Sequence, residues 1–115
     1  MKIEELDVFK QSHELTLKTY KITSLFPVEE KFGLTSQMRR SSASVPTNLM
    51  EGGHRFGKKE YKHFVSISRG STGEMKYHLL LSKDLGYIEE ETYSNMREDY
   101  ERVSMMLTKL HGSLI

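Results

Sequence analysis

The stretch from Leu34 to Gly52, LTSQMRRSSASVPTNLMEG, most constrains how this chain can fold. Its apolar residues recur at helical spacing, yet Pro46 lies in its interior and polar residues flank the apolar stripe. A proline inside a helix removes one backbone hydrogen bond, which predicts a kink near Ser42 to Val45. Because an unpaired buried polar group costs about 1 to 3 kcal/mol, neighbouring helices must satisfy these groups. The segment therefore specifies a packed architecture and no reaction.

Four segments of the chain have helical periodicity, and short breaks separate them. The predicted helices run from about Asp7 to Leu25, from about Leu34 to His54, from Gly57 or Lys58 to a stop at Gly86, and from Glu89 or Glu90 to His111. No segment alternates with period two over enough residues to be a convincing strand. The pattern predicts one all-α domain over residues 1–115, an antiparallel up-down-up-down four-helix bundle.

Composition narrows the class of protein. The 115 residues include no cysteine, which excludes a disulfide framework and a thiolate site and suits a reducing cytoplasm. The longest apolar run, Leu79 to Leu81, is too short for a membrane span, and the acidic first ten residues differ from a signal peptide. We expect a cytoplasmic protein with no membrane partner.

Charge is distributed unevenly along the chain. Residues 38–83 hold nine Lys or Arg against three Asp or Glu, whereas residues 84–103 hold two against seven. The net charge is nevertheless only +1. The two blocks either neutralise each other, within the fold or between subunits, or leave a basic face for an anionic partner.

Polar residues of the second and third predicted helices suggest an internal layer. A structural polar network is predicted from five of them: Gln37, Arg40, Asn48, Glu51 and Glu74. The glycines at positions 70 and 73 predict close approach of a neighbouring backbone, since each costs about 1 kcal/mol in a helix interior. Glu74 would face that contact, where Arg39 or Arg40 could pair with it. The alternative is that the same residues line a pocket.

The break between the second and third helices is the best candidate contact surface. Arg55, Lys58, Lys59 and Lys62 cluster around Phe56, a combination that suits phosphate contact with base stacking. Arg39 and Arg40 would support this nucleic-acid-binding surface. The alternative is an ordinary solvated loop between helices.

Candidate chemistry is sparse. Two Glu-x-x-His spacings, Glu51 to His54 and Glu60 to His63, resemble half of a di-iron carboxylate site. Both flank the same break, at a bundle end, so we predict no metal site. No serine nucleophile with a paired base is visible, and the glycine before Lys58 lacks the spacing of a phosphate-binding loop. The sequence predicts no catalytic residue, no cofactor and no enzyme.

These residues also carry a resemblance. The run Leu34 to Arg40, then Ser44-Val45-Pro46-x-Asn48 and Glu51-Gly52, resembles the signature of a four-helix bundle family. Its members are known as 23S ribosomal RNA intervening-sequence proteins, or S23-type proteins. Further matches follow in order over nearly the whole chain, at Leu6-x-Val8-Phe9, Phe26-Pro27 with Glu30, Gly70-Ser71 with Glu74, and Leu85 to Ile88. Phe9 departs from the pattern where tryptophan is common, as do Ser41 and Met50 where alanine is common.

The resemblance implies a left-handed four-helix bundle that assembles into a ring, typically a pentamer. It also implies similarity to the accessory variability protein of diversity-generating retroelements, a basic pentameric barrel that binds nucleic acid. Apolar residues off the main stripes, such as Tyr20, Tyr77 and Met105, independently favour subunit contacts. We therefore expect a homo-oligomer, a pentamer, that acts as a non-enzymatic scaffold associated with RNA or DNA, RNA being favoured. The alternative is a protein-interaction module that docks a partner protein, such as a nucleic-acid enzyme.

Overall fold

The structure, a computed structural model, describes residues 2–115 and is built from four helices. They are α1 (Asp7–Thr23), α2 (Leu34–Gly53), α3 (Lys58–Asp84) and α4 (Glu90–Ser113). Single 3-10 turns, Ile3–Glu5 and Val28–Glu30, precede α1 and α2. Residues 2–115 contain no strand. The all-α fold class and the four-helix bundle are confirmed, and each predicted helix boundary lies within two residues of the observed one. The left-handed sense of the bundle stays a prediction.

The helices pack in chain order around one core. α2 packs on α1 and on α3, α3 packs on α4, and α4 closes the bundle against α1. In the described part of the chain, the diagonal pairs α1–α3 and α2–α4 do not approach each other closely. This is the up-down-up-down order that short connections impose. The body measures 43 × 24 × 20 Å. None of the four helices is long and apolar enough to cross a membrane, over residues 2–115.

The core lies along the inner face of each helix. Its fully buried members come from α2, α3 and α4: Met38, Val45, Leu49, Val65, Met75, Leu79, Tyr100, Val103 and Leu107. α1 contributes smaller side chains, because Ser12, Thr16, Thr19 and Thr23 occupy its inner face. Three of these hydroxyls, those of Ser12, Thr19 and Thr23, donate to main-chain carbonyls of α1 itself, and the Thr16 hydroxyl lies 3.1 Å from the Ser12 carbonyl oxygen. A row of small hydroxyl residues therefore replaces bulky apolar residues where α1 meets the bundle.

One of those hydroxyls also donates to the carbonyl of α2 that Pro46 leaves without a helical partner. α2 continues through Pro46, which has no N–H to donate to the carbonyl of Ser42 four residues earlier. The Thr16 hydroxyl of α1 donates to that carbonyl oxygen at 2.9 Å, and both residues are buried. The neighbouring helix thus supplies the hydrogen bond that the proline removes.

The prediction that the α3 glycines permit close backbone approach is wrong. A Cβ atom built on Gly70 or Gly73 meets no atom of the described residues within 4 Å. The close approach occurs at Gly52 of α2, where a Cβ would lie 2.8 Å from Phe64 Cβ and 3.0 Å from Tyr61 Cδ1. The reason is that Gly70 and Gly73 lie on the outer face of α3, whereas Gly52 faces it from α2.

A clasp joins the two loops at one end of the bundle, the α1–α2 loop and the α3–α4 loop. One carboxylate oxygen of Glu30 accepts the main-chain N–H of Leu34 at 3.0 Å, which caps the start of α2. The other accepts the Tyr87 hydroxyl at 2.8 Å. These two hydrogen bonds lower the pKa of Glu30. The Tyr87 ring also packs 5.2 Å from the Phe26 ring, so the two loops form one unit.

The burial of His78 in α3 predicts that the stability of the protein falls at acidic pH. Both of its ring nitrogens are buried and have no hydrogen-bond partner among the described residues. This desolvation lowers the pKa of His78 from 6.5, and the negative charge of Glu74 opposes the shift. Below pH 6.5 the unfolded chain therefore binds a proton before the folded one does, and the free energy of unfolding falls by at most about 1.4 kcal/mol per pH unit.

His78→Gln is expected to lose less stability than the wild type between pH 7 and pH 5, measured by urea unfolding. His54→Gln is the matched control, since His54 is exposed. Equal losses in the wild type and in His78→Gln would contradict the prediction.

Candidate nucleic-acid interface

The predicted contact surface lies at one end of the bundle, where α2 turns into α3. We call residues 54–62 the basic loop; they include four connecting residues and the first turn of α3. Gly52 allows α2 and α3 to meet closely just before the turn, which sets the start of α3 beside the end of α2. The first turn of α3 has no side-chain cap from Gly57, so its main-chain N–H groups face outward. This end of the bundle therefore combines a helix N-terminus with a cluster of cations.

Arg55 is held by its own neighbours. Its guanidinium lies 2.7 Å from Glu51 Oε1 and 4.0 Å from Glu60 Oε1. The guanidinium carbon also lies 4.9 Å from the centre of the Phe64 ring. Two carboxylates thus offset the charge of Arg55, and its main effect is to fasten the loop to α2 and α3.

Unlike Arg55, the three lysines of the basic loop are not held by carboxylates of the described residues. Lys58 and Lys59 are exposed, Lys62 is half-buried, and none forms an ion pair with another described residue. Phe56 beside them has 101% of its reference surface exposed. A fully exposed aromatic ring next to free ammonium groups can stack on a base while the cations contact phosphates. Arg55, Lys58, Lys59 and Lys62 lie within this one short stretch, and Lys59 and Lys62 line one groove; their contact with nucleic acid stays a prediction.

Arg39 and Arg40 lie elsewhere. They precede Arg55 by about 16 residues of α2, or about 24 Å of helix, so they lie towards the opposite end. Arg39 Nε donates to the Thr23 hydroxyl at 3.0 Å and Nη2 donates to the Tyr20 carbonyl at 3.3 Å, at the last turn of α1. It stabilises that helix end, while Arg40 is exposed. Within residues 2–115 of this single chain, neither arginine lies near the basic loop, so the expected support is not observed.

The predicted polar network is also not assembled. Its five members, Gln37, Arg40, Asn48, Glu51 and Glu74, bind to other groups or lie exposed on α2 and α3. Asn48 donates to Ser44 at 2.9 Å, Glu51 pairs with Arg55, and Glu74 accepts from the Ser41 hydroxyl at 3.2 Å rather than from an arginine. Burying those charges would be costly, so short hydroxyls replace them between α2 and α3. Ser68 donates to the Val45 carbonyl and Ser71 to the Ser44 hydroxyl, each at 2.8 Å.

A groove runs along the outside of α1 and α2 and encloses about 790 Å³. Phe9, Ala43, Pro46 and Met50 form its apolar part, and His13, Thr16, Thr47, Glu51, His54 and Arg55 complete the lining. Leu17, Tyr20, Tyr77 and Met105 are also exposed. Apolar surface of this extent on a small bundle is typical of proteins that bind another protein surface.

The opposite end of the bundle has a different character. Around the Glu30–Tyr87 clasp, Leu25, Val28 and Phe32 are 78–89% exposed and Leu85 is half exposed. Acidic residues surround them, among them Glu29, Asp84 and Glu89–Glu91. We call this the acidic, apolar end; Lys31 also lies there, and Lys83 pairs with Asp84 and Glu90.

The two Glu-x-x-His spacings do not form a ligand set. Arg55 contacts both carboxylates, Glu51 and Glu60, and His54 Nδ1 lies 2.9 Å from the Met50 carbonyl oxygen. Within residues 2–115, no three His, Asp or Glu side chains gather as metal ligands would.

Two contacts near the basic loop were not predicted. Arg69 Nε of α3 donates to the Thr108 hydroxyl of α4 at 2.8 Å, and His111 of α4 lies in the same groove as Lys59 and Lys62. Lys59, Lys62, Ser66 and Arg69 follow one another at spacings of three and four, which places them on one face of α3. That spacing could have identified Arg69, whereas the contribution of α4 depends on how the helices pack.

Comparison with known proteins supports this fold. A crystal structure of a protein of unknown function from the S23 ribosomal protein family of Bacteroides thetaiotaomicron VPI-5482 superposes with a TM-score of 0.84. The two chains are 22% identical, and the match covers 91% of this chain and 95% of the other. The comparison with curated proteins yields no match. Residues 4–109 match the family described as 23S rRNA-intervening sequence protein, and the chain belongs to that family.

Proposed function

We propose that this protein is a non-enzymatic scaffold that binds RNA through its basic loop. The observation that carries the proposal is the combination of the fully exposed Phe56 with the unpaired ammonium groups of Lys58 and Lys59. An exposed phenylalanine is unfavourable in water, whereas stacking on an unpaired base would cover it. The family name refers to ribosomal RNA, which agrees with this ligand class.

The electrostatics of the loop favour contact through its lysines. Lys58 and Lys59 stand at the first turn of α3, where outward main-chain N–H groups and the helix dipole also attract phosphate. Arg55 acts by positioning, because Glu51 and Glu60 already offset its charge. The low net charge of +1 keeps non-specific attraction weak, so contacts at this one end decide affinity.

We further propose that the bundles assemble into a homo-oligomeric ring, a pentamer. The apolar α1–α2 groove and the exposed Tyr77 and Met105 supply surface for subunit contacts. In such a ring the basic loops of several subunits meet one RNA strand together, which multiplies weak contacts. Light scattering of the purified protein would then give about five times the 13.4 kDa of one chain.

Reversal of the two free lysine charges tests RNA binding. We expect Lys58→Glu combined with Lys59→Glu to weaken binding of a labelled single-stranded RNA by at least about tenfold at low salt, because two phosphate contacts become repulsive. The measurement is fluorescence anisotropy at two salt concentrations. Phe56→Ala should also weaken binding, but without changing its salt dependence.

The control is Lys21→Glu combined with Lys31→Glu, which makes the same change of charge at the opposite end of the bundle, on two exposed lysines that form no ion pair with another described residue. No binding by the wild type at low salt, or equal binding by the loop variant and the wild type, would contradict the proposal.

A second candidate function is docking of a partner protein, such as a nucleic-acid enzyme. The acidic, apolar end favours it, because Leu25, Val28 and Phe32 are exposed together with several carboxylates. Genes adjacent to that of this protein discriminate between the candidates: a polymerase gene favours a protein partner, and a ribosomal RNA locus favours RNA.

A further inference from the structure

The basic loop opens into a groove between α3 and α4. Its first part encloses about 490 Å³ and is lined by Lys59, Glu60, Lys62, His63, Phe64, Ser66 and His111. A second hollow of about 270 Å³ adjoins it and includes Val65, Arg69, Leu107 and Thr108. Ser66 and His111 line both parts, so the groove is continuous. We call it the α3–α4 groove.

The charge of this groove is almost entirely of one sign. Lysines 59 and 62 and Arg69 are cationic, two imidazoles can donate to an anion, and Glu60 is the one carboxylate among the lining residues. Glu60 is itself 4.0 Å from the Arg55 guanidinium, which it shares with Glu51. A groove with this lining attracts an anion along its whole length rather than at one point.

The far end of the groove is held in place. Arg69 Nε donates to the Thr108 hydroxyl at 2.8 Å, and Thr108 in turn donates to the Ser104 carbonyl at 3.0 Å. The tether reduces the freedom of a long side chain and leaves its other guanidinium N–H groups available for phosphate oxygens. Arg69 lies ten residues beyond Lys59 on α3, about 15 Å along the helix axis. That distance spans several phosphates of an extended strand.

The shape of the groove favours a single strand over a duplex. It follows the seam between two adjacent helices, and the half-buried Phe64 adds an apolar side chain between the polar groups. A flexible strand can follow such a seam and place a base against this ring, whereas a rigid duplex cannot bend into it.

We propose that a single strand of RNA runs from the basic loop along the α3–α4 groove and ends against Arg69. The inference rests on the proposed RNA binding and extends it by naming the path and the distal contact. Lys59 and Lys62 belong to both the basic loop and the groove, so the strand passes from one to the other without a break. Arg40, on the outer face of α2, has no part in the path.

Salt-dependent titration of labelled twelve-residue oligouridine tests the path. Arg69→Gln removes one phosphate contact, so the slope of log K against log salt becomes shallower by about 0.7 and affinity falls several-fold. Arg40→Gln, a matched exposed arginine, changes neither quantity. Thr108→Val releases the tether but keeps the Arg69 charge, so affinity falls while the slope stays unchanged. The same sequence in duplex form binds more weakly than the single strand.

Each alternative outcome has one meaning. If Arg69→Gln binds like the wild type while the Lys58 and Lys59 reversal still abolishes binding, the RNA is confined to the basic loop and the path is wrong. Duplex binding as tight as that of the single strand also overturns the path. If the wild type binds no oligouridine at low salt, the proposed function fails and the path fails with it.

Discussion

Thr16→Val is expected to lower the free energy of unfolding by about 1 to 3 kcal/mol, although the two side chains are similar in shape. Pro46 leaves the Ser42 carbonyl without its helical donor, and the Thr16 hydroxyl supplies one at 2.9 Å. The same hydroxyl lies 3.1 Å from the Ser12 carbonyl, which has its own helical partner. Because Ser42 is fully buried, water cannot replace the lost donor, and the carbonyl stays unsatisfied.

Thr72→Val is the matched control for this prediction. Thr72 is fully buried, but its hydroxyl donates to the Arg69 carbonyl of its own helix, which already accepts a helical N–H. The loss of stability in Thr72→Val should therefore be smaller.

Pro46→Ala restores an N–H at position 46, so Thr16→Val in that background should cost no more than Thr72→Val does. Urea unfolding of the four proteins in this double-mutant cycle measures the coupling. If Thr16→Val lowers the free energy of unfolding equally with Pro46 and with Ala at position 46, the hydrogen bond from Thr16 to the Ser42 carbonyl does not compensate for the proline.

Gly52→Ala and Gly70→Ala are expected to change stability in opposite directions. A Cβ at position 52 would lie 2.8 Å from Phe64 Cβ and 3.4 Å from the Tyr61 carbonyl oxygen, so α2 and α3 must move apart. Such overpacking costs about 1 to 3 kcal/mol. At position 70 a Cβ would meet no atom of the described residues within 4 Å. Because this position lies in a helix interior, alanine should stabilise the protein by about 1 kcal/mol relative to glycine.

Thermal unfolding of the two variants, with light scattering to follow assembly, measures this contrast. Gly73→Ala repeats the second change one turn later on the same face. A neutral Gly52→Ala would contradict the close packing of α2 on α3. Destabilisation by Gly70→Ala and Gly73→Ala, together with loss of the oligomer, would instead place that face of α3 inside a subunit contact.

The helices could be predicted from the sequence because their signals are local. Apolar residues at spacings of three and four, Phe26-Pro27 after α1, and Gly86, with its positive φ of 80°, after α3 all act within one or two turns. The clustering of the basic loop was predictable for the same reason, since Arg55 to Lys62 are neighbours along the chain. The glycine pair of α3 gave a wrong prediction, because a glycine does not indicate whether it faces a neighbour or solvent.

By itself the sequence determined the number, the order and the approximate bounds of the helices, and the segment in which the lysines cluster. The tertiary structure alone decided which polar group meets which: Thr16 on the Ser42 carbonyl, Arg39 on the end of α1, and Arg69 on Thr108 of α4. Periodicity assigns a residue to a face of its own helix, but a contact between helices depends on their axial register and rotation. Those depend on side-chain packing over the whole bundle, which no single segment encodes.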